Sequence, residues 1–350
     1  MADQDATEVV SLDALRPFGK AVYEACGVPP DDAEFTVEIQ LTADLRGVDT
    51  HGFQRLGWYA GHLQAGRYNP TPSLEVLKET PVSHVVDGDG GIGQLIVART
   101  MQRTIAKAQQ TGLALGTLRN SNDWGMGAYY PMMAAAEGLV SFCTTTSVPT
   151  LAPFGSRTRM TGNNPMAFAA PRASGPPVVL DMALTPVALG KVMRARAEGR
   201  EIPVEWGFQD LEGLPTTDPE TALSGVIPAL GAVSAYKGSG LSLFMNLLAG
   251  ALPGGYHSGD VNIGRRGQFL LVIDPDIFGH ADEFAANVDD MVEQVKSADP
   301  LPDVEEVFAP GEIEQRAYDE RVAAGHVVYP SSTLQDLREL SEEMGIPLDA

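Results

Sequence analysis

Apolar positions in the first 70 residues recur at helical spacing, and glycine and proline divide them into three segments. Residues 11–26 read as a helix that stops at Gly27, with Pro29 and Pro30 just beyond. Asp31 stands where a cap would open a second helix, which runs through Glu38 and Asp44 to Gly47. A third is expected from Thr50, whose hydroxyl can cap it, to Gly66; Asn69-Pro70-Thr71-Pro72 then breaks the pattern. From about residue 74, short apolar runs alternate with helical ones. Residues 82–86, 113–118, 139–146, 176–181 and 268–274 read as strands, and 92–110, 129–137, 186–198 and 238–251 as helices. Two acidic helical segments, 281–297 and 332–344, close the chain. This is the pattern of an α+β chain with helices at both ends around a sheet-bearing middle.

Composition narrows the function. The 350 residues are 44% hydrophobic, enough for a large core spread over more than one unit. With 46 acidic residues against 24 basic ones, the formal net charge is −22, and no run of five basic residues occurs. Such a surface repels nucleic acid and anionic membranes, so neither is an expected partner. A small anionic substrate would have to be drawn in by a few local cations. Cys26 and Cys143 are far apart in apolar contexts and read as buried reduced thiols; no disulfide framework and no metal site is expected. The first residues lack the basic and apolar regions of a signal peptide, and the most apolar stretch, 241–252, falls short of the ~20 residues that span a bilayer. The expected location is the cytoplasm.

Gly88, Gly90 and Gly93 fit G-x-G-x-x-G between an expected strand and an expected helix, the setting of a dinucleotide-binding loop. The match is loose in a chain with 37 glycines, and the acidic residue expected about 20 positions further on is missing; Arg119-Asn120 stand nearby. A plain Gly-rich turn between strand and helix explains the motif as well.

The segment 45–59, LRGVDTHGFQRLGWY, carries the most chemistry. If Thr50 opens a helix, His51, Arg55 and Tyr59 fall at i, i+4 and i+8 and share one face. Arginine can grip a carboxylate with two parallel hydrogen bonds, and histidine can exchange the proton at a carbonyl oxygen while hydride moves. Thr50 or Asp49 is placed to orient the imidazole. A surface helix with a chance polar stripe has the same spacing. Residues 119–127, with Asp123, Trp124, Gly125, Met126 and Gly127, form a polar, glycine-containing turn suited to a cofactor or substrate. Thr144–Ser147 offer hydroxyls at a strand end, and Thr161-Gly162-Asn163-Asn164-Pro165 offer amides. Together they suggest a cleft built from strand ends.

In this order, LRGVDTHGFQRLGWY, VDGDGGIGQ, RNSNDWGMGAYY, LAPFGS with TGNNPMAFAAP, VLDMALTPVALGK, PTTDPETAL, YKGSGLSL and APGE cover residues from about 40 to 325. This array resembles the malate/L-lactate dehydrogenase family of the non-Rossmann type, which includes ureidoglycolate dehydrogenase, diketogulonate reductase, sulfolactate dehydrogenase and piperideine-carboxylate reductase. The resemblance implies a homodimer, a mostly antiparallel sheet that binds NAD or NADP, and a helical domain made from both chain ends, here 1–75 plus 300–350 around a sheet-bearing unit at 76–299. The Gly88–Gly93 match is then a decoy. His51 matches the family's proton-donor histidine, with Thr50 in place of the usual Ser. Arg55 and Tyr59 fall on substrate-contacting positions, and Asn163 on the substrate loop. The turn from Asp123 to Gly127, Ser147, Asp181-Met182-Ala183 and Pro310-Gly311-Glu312 fall on cofactor-binding segments. Lys191 stands where dehydrogenase-like members tend to carry Lys and the piperideine-carboxylate branch Asp.

Three positions depart from the family pattern: Asp123 replaces a His that some members use as acid/base, Asn163 replaces Thr, and Tyr236 replaces a common His. The leading expectation is redox chemistry on a small anionic 2-oxo or 2-hydroxy acid, with His51 as acid/base, Arg55 on the carboxylate, and Asp123 contacting the substrate or tuning His51. A second is imine reduction, in which Asp123 stabilises the iminium. A third is a cofactor-binding protein that has lost catalysis.

Overall fold

A computed structural model describes residues 7–231, 234–256, 262, 265–279 and 281–349. Helix α1 (Leu12–Ala25) starts at Ser11, whose hydroxyl accepts the Ala14 N–H at 3.1 Å. Helix α2 (Pro30–Leu45) has no side-chain cap. Asp31 therefore does not cap it; it lies in the first turn with Asp32, where a negative charge suits the helix dipole, and Pro30 opens the helix without losing a bond. The expected third helix is also corrected. Residues Asp49–His51 and Phe53–Arg55 form two single 3-10 turns, and only Leu56–Gln64 is α-helix (α3). Gly52 is extended (φ −91°, ψ −146°), and the Phe53 N–H that follows it goes to the Asp44 carboxylate instead of to a helical carbonyl.

The two ends of the chain share one core. Leu15, Phe18 and Val22 of α1, Val37 and Leu41 of α2, and Leu56, Tyr59 and Leu63 of α3 pack with Val327, Tyr329, Leu334 and Leu337 from the C-terminal segment. Strand β1 (Thr7–Ser11) pairs antiparallel with β9 (His326–Pro330), which pins one end to the other. In sequence, helices α10 (Glu312–Ala324) and α11 (Ser331–Met344) flank β9. Strands β1 and β9 and helix α10 escape the periodicity reading: α10 buries none of its side chains and has no apolar stripe, and the two strands are five residues each.

The middle of the chain forms a seven-stranded sheet in the order β2 (Glu75–Thr80), β3 (Ser83–Asp87), β4 (Leu113–Ser121), β8 (Arg266–Ile273), β5 (Val140–Thr145), β6 (Met166–Ala170), β7 (Val178–Met182). Every neighbour pair is antiparallel except β3 and β4, which are joined by α4 (Gly93–Thr111). Ile96, Val97 and Met101 of α4 and Tyr130 of α5 (Tyr129–Ala136) bury against Leu118, Leu270 and Val272 of the sheet. A smaller core joins α6 (Leu189–Ala197) and α7 (Pro219–Ser224) through Val192, Ala222, Phe208 and Ile227. Helix α8 (Ala235–Asn246) runs on into a π-helical stretch, Leu247–Ala251, and α9 (Ala281–Lys296) follows β8. Among the described residues no helix is long and apolar enough to cross a membrane.

Candidate active site

The two 3-10 turns place side chains that a continuous helix would have set on one stripe. The Thr50 hydroxyl lies 3.0 Å from His51 Nδ1, and Arg55 Nε donates to the Thr50 carbonyl at 2.6 Å. From the sheet side, Asp123 meets this group. Its Oδ2 is 2.7 Å from Arg266 Nη1 and 3.6 Å from Arg55 Nη1, while its Oδ1 accepts from the Tyr59 hydroxyl at 2.9 Å and from the Gly125 N–H at 3.0 Å. His51, Thr50, Arg55, Tyr59 and Asp123 are thus brought together by structure rather than by helical periodicity. Arg266 completes the set, and sequence reasoning passed over it. Its only signal is a basic pair, Arg265-Arg266, at the head of an apolar strand in a strongly acidic chain.

Burial, and then the positive charge of Arg55, push the His51 imidazole down to about 4. Burial alone would raise the Asp123 carboxyl, but Arg266 and Arg55 outweigh it and hold the group well below the ordinary carboxylate range. At neutral pH the site therefore contains an uncharged imidazole, one carboxylate and two guanidiniums. The guanidiniums exceed the carboxylate by one charge, a local attraction for an anion in a chain of net charge −22.

The Asp123 turn is braced from below by the glycine-rich loop. Asn122 Nδ2 donates to the carbonyls of Gly90 and Gly91 at 2.9 and 2.8 Å. Gly93 packs so closely on the Asp123 carbonyl that a Cβ would land on it. The loop's carbonyls and its third glycine are thus engaged by the Asn122-Asp123 turn. The side chains of Trp124 and Met126 are buried in the core, Trp124 stacked on Tyr130 at 5.4 Å. Gly125 is turned inward as well, its N–H given to Asp123, so the turn meets the site through the Asp123 side chain.

The remaining expected residues lie along the far strands. Ser147 Oγ donates to Asn163 Oδ1 at 2.6 Å, and buried Asn164 ties both to Ser242. On β7 and just beyond it stand Asp181, Met182 and Ala183; Asp181 Oδ2 accepts the Ala128 N–H at 2.8 Å. The protein packed around Asp181 pushes its carboxyl up to about 6, although the residue keeps an open face. Pro310 O accepts the Val179 N–H at 3.1 Å, which lays Pro310-Gly311-Glu312 along β7, and Glu312 is held by Lys296 at 2.8 Å. Lys191 is exposed on α6, one residue after Gly190, which lies close to the Thr50 methyl.

The family model described as malate/L-lactate dehydrogenase matches residues 10–338. The chain belongs to this family. It is 35% identical over 346 residues to the malate dehydrogenase of Pyrococcus horikoshii, with 96% of each chain covered. The solved structure of malate dehydrogenase from Pyrococcus horikoshii OT3 superposes with a TM-score of 0.90 at 33% identity over 97% of each chain. The L-sulfolactate dehydrogenase of Methanocaldococcus jannaschii is 33% identical, covering 97% of this chain and 95% of its own length. Ureidoglycolate dehydrogenase (NAD(+)) from Escherichia coli (strain K12) is 32% identical over 82% of each chain. This member of the malate/L-lactate dehydrogenase family is accordingly an enzyme, an oxidoreductase of small acids. In this chain Asp123 is held by four protein groups.

Proposed function

We propose that the protein transfers a hydride between NAD or NADP and a small 2-oxo or 2-hydroxy acid, with His51 as acid/base and Arg55 on the substrate carboxylate. The observation that carries this reading is the meeting of His51, Arg55 and Arg266 around Asp123. Arg55 is anchored through Nε and Nη1, and about a third of its side chain, 34%, stays open to receive a carboxylate. Thr50 engages Nδ1 of His51, which leaves Nε2 for the substrate oxygen. In oxidation the uncharged ring takes the hydroxyl proton as hydride leaves C2. In reduction the protonated ring returns it to the carbonyl oxygen. The nicotinamide, when bound, accepts or supplies the hydride. Asp123 is too acidic between its arginines to shuttle that proton, and its part is to set the two guanidiniums. The Tyr59 hydroxyl is committed to Asp123 and steadies it.

The far strands suit a dinucleotide. Asp181, exposed as a residue on β7, can meet ribose hydroxyls, and Lys191 offers an exposed cation to phosphates; away from these strands, Gln94 of α4 lies buried against Gly125 with both amide atoms lacking a protein partner. The cofactor would be held by these residues with Ser147, Asp181–Ala183 and Pro310–Glu312. A second copy of the chain is the proposed partner, seated on the apolar face of α8 and the following turns, where Tyr236, Leu243, Phe244, Leu247 and Leu252 are exposed. Imine reduction with Asp123 as the iminium's counter-ion has less support, because that carboxylate already answers two guanidiniums and a phenol.

The test is oxidation of NADH and NADPH with a panel of 2-oxo acids that includes oxaloacetate and pyruvate, each with and without methylamine. Turnover of an oxo acid alone is expected. Turnover only with the amine would replace this reading by imine reduction, and cofactor binding without turnover by a non-catalytic role.

A further inference from the structure

Beneath the turns that carry His51 and Arg55 lies a carboxyl group that the hydride transfer does not use. Asp44 is the penultimate residue of α2 and is fully buried. Its Oδ2 accepts the Phe53 N–H at 2.8 Å and the Tyr329 hydroxyl at 2.8 Å, while Oδ1 has no hydrogen-bond partner. Gly52 closes over Oδ1 so tightly that a Cβ there would overlap the carboxyl. Arg321 of α10 donates to the Asp44 backbone carbonyl and, at 2.8 Å, to the Asp49 carboxylate. Phe53 and Tyr329 thus meet at the Asp44 carboxyl, and Arg321 ties its backbone to Asp49 of the first turn.

We propose that Asp44 is a positioning residue for the reaction: clamped between the Phe53 amide and the Tyr329 hydroxyl, its carboxyl fixes the double turn and so the spacing of His51 and Arg55. The proposal rests on His51 and Arg55 acting as described above. The geometry favours the neutral carboxyl, since Oδ1 faces Gly52 with no donor to offset a charge. The groups facing it are the Asp49 carboxylate from the first turn, the Phe53 amide from the second, Arg321 from α10 and Tyr329 from β9. Burial, reinforced by Asp49, raises the carboxyl to about 8 against the pull of Phe53, Tyr329 and Arg321. Asp44 thus carries its proton at neutral pH and ionises on mild alkalisation. The bonds from Phe53 and Tyr329 then tighten, but an unsolvated charge forms at Oδ1 under Gly52, which drives Gly52 off the carboxyl and displaces the turn.

The experiment compares wild type with Asp44→Asn, Asp44→Ala and Tyr329→Phe in the full-length enzyme, using NADH and oxaloacetate or whichever oxo acid the panel selects. Asp44→Asn keeps the shape and cannot ionise. Its kcat/KM should stay within about threefold of wild type near pH 7 and lose the decline that wild type shows around pH 8. Asp44→Ala should lower kcat/KM by about tenfold or more while NADH affinity, read by fluorescence, stays unchanged. Tyr329→Phe keeps the fold testable if Asp44→Ala does not accumulate, and should move the alkaline decline upward because a donor to the carboxylate is lost. The same transition is readable without turnover. Trp58 lies 5.9 Å from the Arg55 guanidinium, and with Trp124 and Trp206 replaced by Phe its emission should change near pH 8 in wild type but not in Asp44→Asn. An Asp44→Asn profile and emission identical to wild type, or a folded Asp44→Ala with wild-type kcat/KM, would overturn the proposal. If His51→Ala leaves turnover intact while the Trp58 transition still depends on Asp44, the fault lies in the assignment of His51 and not in the clamp.

Discussion

At Asp123 one carboxylate answers two guanidiniums, a phenol hydroxyl and a backbone amide, and the side chains that meet it come from distant parts of the sequence. Its side chain is only 11% exposed and that of Arg266 16%, so removing its charge strands the Arg266 guanidinium in a poorly hydrated place. Breaking a buried pair in this way costs about 3–5 kcal/mol. Asp123→Asn should therefore lower Tm at pH 7 by several degrees and weaken substrate binding through a misplaced Arg55, checked by calorimetry and by KM. The sign with pH is set by the depressed carboxyl. Its stabilisation is present above the ordinary carboxylate range and is lost as pH falls below that range toward the depressed value, so the gap between wild type and variant should narrow only in strong acid. His51, Thr50, Arg55, Tyr59 and Asp123 were legible because each lies in a short motif whose residue types suit the chemistry. Arg266 and Asp44 were not, because their meaning depends on partners far away along the chain that no local pattern announces.

Among the elements, the turn at 49–55 and the loop at 88–93 show opposite faults of a local reading. Helical spacing put His51 and Arg55 on one side for the wrong reason: the segment is two 3-10 turns broken at Gly52, and a tertiary bond from Phe53 to Asp44 decides it. The glycine motif does sit in a parallel strand–helix–strand unit, as a dinucleotide fingerprint would, yet its carbonyls hold Asn122 and its third glycine packs on Asp123. A pair of substitutions separates bracing from cofactor binding. Gly90 has open space around it but φ +64°, so Gly90→Ala should cost about 1 kcal/mol and leave NADH affinity unchanged. Gly93→Ala must displace the Asp123 turn, and kcat should fall much further than in Gly90→Ala. Loss of cofactor affinity in Gly90→Ala would restore a phosphate role to the loop. Strands β2 and β6 went unnoticed because β2 is an almost wholly exposed edge and β6 a five-residue run of small and apolar residues.

Over the whole molecule, the site joins what the sequence separates. Arg55 comes from the shared core of the two chain ends, Asp123 and Arg266 from the sheet, and Arg321 and Tyr329 secure the turn from the C-terminal segment. The α+β pattern was readable from the spacing of helices and strands, while strand order was not, since pairing is long-range. The exposed apolar face of α8 belongs to this scale as well. Phe244 is 63% exposed, and Phe244→Asp should lower the mass measured by light scattering from that of a dimer toward the 37.2 kDa of one chain; an unchanged mass would place the interface elsewhere. The central claim is that His51 moves the proton that accompanies hydride transfer, and single-turnover reduction of the selected oxo acid by bound NADH or NADPH tests it most directly. His51→Ala should slow that chemical step by about 10² or more with cofactor affinity nearly intact. A wild-type rate in His51→Ala would contradict the account.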